Sequence, residues 1–135
     1  MYQQMIFVNL AVNDVDASRK FFTELGYSIN PQFSTDECAC VVISDTIIAM
    51  LLSKQRYSDF TKKEIADSTR TSEVLLCLSA ESREKVDELV DKAFAAGATG
   101  STDAIDQGFM YGRSFDDPDG HSWEVVWMDP AAVQG

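Results

Sequence analysis

Apolar and polar positions along this chain repeat with two periods, and the two periods come in the same order twice. Met5 to Val12 (MIFVNLAV) is a strand-like run, and Asn13-Asp14 then offers a cap for a helix over Asp16 to Leu25. Ala17, Phe21, Phe22 and Leu25 recur at helical spacing there, and Gly26 stops the helix. Tyr27 to Phe33, Ala39 to Ser44 and Thr46 to Ser53 then read as three strands, with a turn at Ser44-Asp45. A polar connector follows over 54–72, with five basic and three acidic residues and a short helical piece expected around Tyr57 to Ile65. Beyond it the order restarts. Glu73 to Ser79 (EVLLCLS) reads as a strand, and Ser82 opens a helix to about Ala96 whose apolar face is Val86, Leu89, Val90, Ala93 and Phe94. Gly97 ends that helix, a strand is expected near Ala98 to Thr102, and Phe109 to Met128 (FMYGRSFDDPDGHSWEVVWM) closes as a hairpin.

Two βαβββ passes in one chain predict an α+β fold built from two related modules. The expected architecture is one domain: half one at about 1–53, the connector at 54–72, and half two at about 73–128. Each mixed sheet would curl, its helices outside, and the concave faces would form a cleft in which function sits.

The closing hairpin carries most of the local chemistry. In Asp116-Asp117-Pro118-Asp119-Gly120, Pro118 presets its own backbone angle, Gly120 can take positive φ, and the Asp side chains can bond nearby amides. On the return strand Trp123, Val125 and Trp127 share one face, and Glu124, Val126 and Met128 the other. Glu124 is thereby a carboxylate set among bulky apolar neighbours. Tyr111 and Arg113 alternate on the outgoing strand, where they would offer a phenol and a guanidinium to a ligand or else face outward as an edge.

Composition narrows the partners. The 135 residues carry a net charge of −11, which repels phosphate backbones and anionic lipids, so nucleic acid and membrane surfaces are not expected partners. The same field attracts a cationic ligand, and it also keeps a small protein soluble. No apolar run approaches the roughly 18 residues of a membrane span, and the start shows no secretory pattern; the expectation is a cytoplasmic protein. Cys38, Cys40 and Cys77 lie in apolar strand-like runs without a C-x-x-C frame, and are expected as small buried thiols.

The paired βαβββ order, the opening NLAVNDVDASRKFFTELGY and the closing FDDPDGHSWEVVW together resemble the vicinal oxygen chelate superfamily, which includes glyoxalase I, bleomycin-resistance proteins and extradiol dioxygenases. The resemblance covers nearly the whole chain and is nearest to small bacterial proteins of the lactoylglutathione lyase-like kind. Metal-dependent members hold their ion with a His on the first strand, a Glu on the fourth, a His on the fifth and a Glu on the eighth. The eighth-strand position, four residues past the D-P-D-G glycine, is Glu124 here. The first-strand position is Phe7, with Asn9 two residues on; the fourth strand, TIIAMLLS, has neither carboxylate nor imidazole; the fifth-strand position is Glu73. A Ni²⁺, Zn²⁺ or ferrous site needs imidazoles that this set lacks, and the single histidine, His121, falls in the hairpin turn. No cofactor is expected; with Asn9, Glu73 and Glu124 are the candidates for a loosely held Mg²⁺ or Mn²⁺.

Three functions follow from the resemblance and these residues. One is a small-molecule-binding member of the bleomycin-resistance kind, capturing a cationic ligand without metal. Another is a metal-dependent lyase or isomerase similar to lactoylglutathione lyase. The third is a metal-free enzyme with Glu124 or Glu73 as base, its pKa raised by desolvation. Phe7, Asn9, Tyr111, Arg113 and Trp123 are the candidate ligand contacts, and the superfamily's habit of pairing chains implies a homodimer.

Overall fold

The computed structural model describes residues 1–133. The chain divides into two compact units, Met1–Asp67 and a second from Ser68 onward, so the boundary falls inside the polar connector. Each unit holds one four-stranded mixed sheet, and the two sheets share a plan. Strands β1 (Ile6–Val12), β2 (Ser28–Ile29), β3 (Cys38–Val42) and β4 (Ile47–Ser53) are ordered β1-β4-β3-β2. Strands β5 (Leu75–Ser79), β6 (Ile105–Asp106), β7 (Met110–Asp116) and β8 (Ser122–Met128) are ordered β5-β8-β7-β6. In both, the first and last strands pair in parallel and the remaining pairs are antiparallel. The duplicated α+β pattern in the sequence is therefore a duplicated topology.

The crossover helices start and stop as the sequence suggests. Helix α1 (Val15–Glu24) is capped by Asp14, whose carboxylate accepts from the Ala17 amide at 3.1 Å, and helix α3 (Arg83–Ala95) by Ser82, whose hydroxyl accepts from the Lys85 amide at 3.1 Å. Gly26 and Gly97 follow with φ of 105° and 107°, the left-handed backbone that ends a helix cleanly. The buried stripe of α1 is Val15, Ser18, Phe21 and Phe22, with Leu25 just beyond; Ser18 takes the place expected of Ala17, which is exposed.

Three local expectations are corrected, and one short element is added. The second strand shrinks to Ser28–Ile29 because Pro31 starts a 3₁₀ turn over Pro31–Phe33, capped by the Asn30 side chain. The helical piece of the connector is α2 (Lys54–Tyr57), earlier than expected, because Ser53 caps it directly off β4. The sixth strand is Ile105–Asp106 and not 98–102, where Thr99 forms only an isolated bridge to Asp116. A last short helix, α4 (Pro130–Val133), follows β8.

In the second unit, α3 packs on β7 and β8. Its first turn is held by Arg83, which forks onto Asp106 at 2.7 and 3.0 Å, donates to the Gly108 carbonyl at 2.8 Å, and lies 5.2 and 5.1 Å from the ring centres of Tyr111 and Trp127. Among the described residues no helix is long and apolar enough to cross a membrane.

Candidate functional site

The register of β7 and β8 decides which side chains can meet. Arg113 pairs with Val125 and Tyr111 with Trp127, while Ser114 pairs with Glu124. Tyr111 and Arg113 are thus on the face of Val125 and Trp127, and Glu124 is on the opposite face. The first face belongs to α3. The Tyr111 hydroxyl donates to Asp87 at 2.7 Å, and the Arg113 guanidinium reaches Asp87 at 3.1 Å and Asp91 at 2.8 Å. Burial works against the Arg113 charge, but its hydrogen bonds to Asp91 and Asp87 hold its pKa above the ordinary arginine value; the bond to Asp87 likewise pushes the Tyr111 phenol up. Both side chains are committed to anchoring a helix. Asp87 and Asp91, four apart on α3, were the sequence signal for that.

Trp123 is also on the helix side, 2% exposed, its ring stacked 6.5 Å from that of Phe115. Its indole Nε1 donates to the Asp117 carboxylate at 3.0 Å. The other Asp117 oxygen accepts from the Asp119 and His121 amides, each at 3.0 Å, so this 3%-exposed side chain organises the hairpin turn. Burial pushes the Asp117 carboxyl above the usual range; the His121 charge, the indole and the two amides pull it back. Gly120, at φ 85°, passes so close to the chain that an added Cβ would lie 2.7 Å from the Ser68 carbonyl oxygen. A depression of about 420 Å³ opens beside this turn, lined among others by Ser68, Thr99, Asp116 and Asp117; none of the sequence-predicted site residues lines it.

Glu124 has a different setting. It is the centre of a row that runs across three strands, with Cys77 of β5 on one side and Ser114 of β7 on the other. By alternation Leu75, Val126 and Met128 share its face, away from α3. The carboxylate is half-buried, and among the described residues it has neither a hydrogen-bond nor an ion-pair partner. Cys77 feels it: partial desolvation and then the Glu124 charge raise the thiol's pKa. Cys77 is exposed, contrary to the expectation of a buried thiol, whereas Cys38 and Cys40 are buried as expected. Glu73 stands at an exposed bend, two residues before β5 begins, so it is not held on a strand as the sequence reading had it.

In the first unit, Phe7 is 55% exposed on β1, and the Asn9 amide donates to the Phe7 carbonyl at 3.3 Å. The donor set does not fit the superfamily's transition-metal cage: Phe7 has no lone pair to give, and β4 carries no carboxylate or imidazole. Among the described residues no three His, Cys, Asp or Glu side chains come together closely enough to hold an ion.

With this geometry in place, the likenesses to known proteins fall into line. Residues 4–44 match the family described as bleomycin resistance protein-like N-terminal. A hypothetical protein from S. aureus is 29% identical, with a TM-score of 0.76 over 94% of this chain and 95% of its own. A glyoxalase/bleomycin resistance protein/dioxygenase family enzyme from Burkholderia phytofirmans is 18% identical, with a TM-score of 0.75 over 93% of this chain and 99% of its own. A lactoylglutathione lyase from Agrobacterium tumefaciens is 17% identical, with a TM-score of 0.69 over 93% of this chain and 94% of its own. No curated protein matches the sequence. The family match, the structural neighbours and the doubled β1-β4-β3-β2 plan support assignment to the vicinal oxygen chelate superfamily. The narrower lactoylglutathione lyase grouping is suggested by the Agrobacterium neighbour, whose likeness is one of fold.

Proposed function

We propose that the chain is a small-molecule-binding member of this superfamily that takes an apolar ligand bearing a cationic group, with Glu124 as the countercharge and no transition metal required. The supporting observation is the unpaired, half-buried carboxylate on the face turned away from α3. A carboxylate whose solvation is incomplete and whose neighbours are Cys77, Ser114 and apolar side chains gains most from an ammonium or guanidinium. The net charge of −11 draws cations to it. The metal-dependent lyase reading would need imidazoles that Phe7 and β4 do not supply, and the metal-free enzyme reading assigns the same Glu124 as a base. A homodimer in a cytoplasmic setting, and the assembly of the two units into one domain, belong to this proposal.

The test is a thermal-shift series with apolar quaternary ammonium compounds and their neutral isosteres. At a hundredfold excess over Kd a bound cation stabilises the fold by about 2.7 kcal/mol. The shift should vanish in Glu124→Gln and be absent for the isosteres. Equal shifts from the isosteres, or a full shift retained in Glu124→Gln, would overturn the proposal. A stoichiometric metal lost on Glu124→Ala would restore the lyase reading.

A further inference from the structure

The first sheet carries a cluster that the proposed function does not use. Cys38 and Cys40 are two apart on β3 and therefore share a face. Met50 of β4 is the direct cross-strand partner of Cys40. The backbone of Cys40 turns away from β4, since its amide donates to the Ser34 hydroxyl at 3.0 Å and its carbonyl accepts from the Asn30 amide at 2.9 Å. Cys40 and Met50 are thus a pair without mutual backbone hydrogen bonds, the closer kind, with Cβ atoms about 4.5–5.5 Å apart. Both thiols are buried, at 8% and 4% exposure, and Met50 is half-buried.

Nothing in the shared topology demands sulfur here. In the second sheet the same register positions hold Gly112, Ser114 and Glu124 where the first holds Cys38, Cys40 and Met50. A disulfide is poorly served, because strand residues two apart are separated by about 6.6 Å of rise with parallel Cβ directions. An ion bridging the sulfurs needs no such approach.

We propose that Cys38, Cys40 and Met50 form a binding site for a soft monovalent d¹⁰ cation, Cu(I) in the first instance. Two thiolates and a thioether, with no imidazole or carboxylate partner among them, suit soft Cu(I): Ca²⁺ and Mg²⁺ take oxygen ligands, and Zn²⁺, although it accepts thiolates, takes four ligands drawn from Cys, His and carboxylates in a structural site, more than this set offers. Binding releases the thiol protons to solvent and places the ion among three sulfurs, while the hydrogen bond from Cys38 Sγ to the Phe33 carbonyl, 3.6 Å, is given up. No electron transfer is involved when the ion is supplied as Cu(I).

The test is an anaerobic titration of the intact chain with Cu(I) in competition with bicinchoninate, comparing wild type with Cys38→Ala, Cys40→Ala, Met50→Leu and Cys77→Ser. Wild type and Cys77→Ser should retain one ion per chain, either alanine variant should lose it, and Met50→Leu should bind about tenfold more weakly. Failure of wild type to hold Cu(I) against the chelator would overturn the proposal, as would loss confined to Cys77→Ser. Should an alanine variant not fold, X-ray absorption on the loaded wild type decides: a shell of sulfur alone supports the site, and a nitrogen or oxygen shell refutes it.

Discussion

The two sheets follow one plan but divide the work of packing in opposite ways. On the α1 side of the first unit, the sheet offers small residues and the helix large ones: Ala39 and Ala49 are 0% exposed beneath a helix that buries Phe21 and Phe22. At the same register positions in the second unit stand Arg113 and Trp123, and α3 answers with Val86, Val90 and Ala93. Interiors have nearly constant density, so when volume moves from helix to sheet the partner must shrink to match. The two helices are consequently not interchangeable. The second unit also swaps part of its apolar contact for a polar one, because Arg113 and Tyr111 reach back to Asp87 and Asp91.

This contrast can be broken in a graded series. Trp123→Ala and Phe22→Ala remove the large member from opposite sides of equivalent interfaces, and each should cost about 3–5 kcal/mol in urea unfolding monitored by circular dichroism. A cost confined to one of them would mean that only one interface packs as described. Gly120→Ala should cost about 1–3 kcal/mol in the same assay, from left-handed backbone strain and the approach to Ser68, and no counterpart in the first unit should respond. Arg113→Ala should cost about 1–2 kcal/mol, discounted because Asp87 and Asp91 are substantially exposed, with the loss shrinking in high salt.

The smallest effect is a pH dependence. Asp117 has its folded pKa raised, so the folded protein holds that proton more tightly than the unfolded chain does. Its stabilising share is complete below the ordinary Asp value of about 3.9 and is lost as pH rises through the folded pKa. Asp117→Asn should remove that decline. Urea midpoints across the acid range would show it, and an unchanged slope would mean that the three donors to Asp117 outweigh its burial.

Most of the fold was legible because the signals were redundant: caps at Asp14 and Ser82, glycine stops and strand-like runs all agreed. The errors fall where one local residue overruled a pattern. Pro31 cut β2 short, Ser53 pulled the connector's helix forward, and the sparsely apolar 98–102 stretch could pair only through Thr99. Of the candidate site, the resemblance pointed to Glu124, and alternation along β8 put it on the face opposite Trp123 and Val125, as the register has it. Alternation could not say which face of β7 meets α3, since that depends on register with β8 and on carboxylates one helical turn apart. The indole contact of Asp117 escaped because it joins two residues whose individual roles, turn former and core aromatic, were each already accounted for.

The contact at Gly120 reaches beyond the turn it belongs to. The Ser68 hydroxyl donates to the Asp119 carbonyl at 2.5 Å, so the stretch leading into β5 is stapled to the β7–β8 turn of the same sheet, and only glycine lets the two backbones pass. An insertion meant to lengthen the tether between the repeats therefore belongs upstream of Ser68, where it leaves this staple untouched; placed a few residues later, it would unseat the strand it precedes.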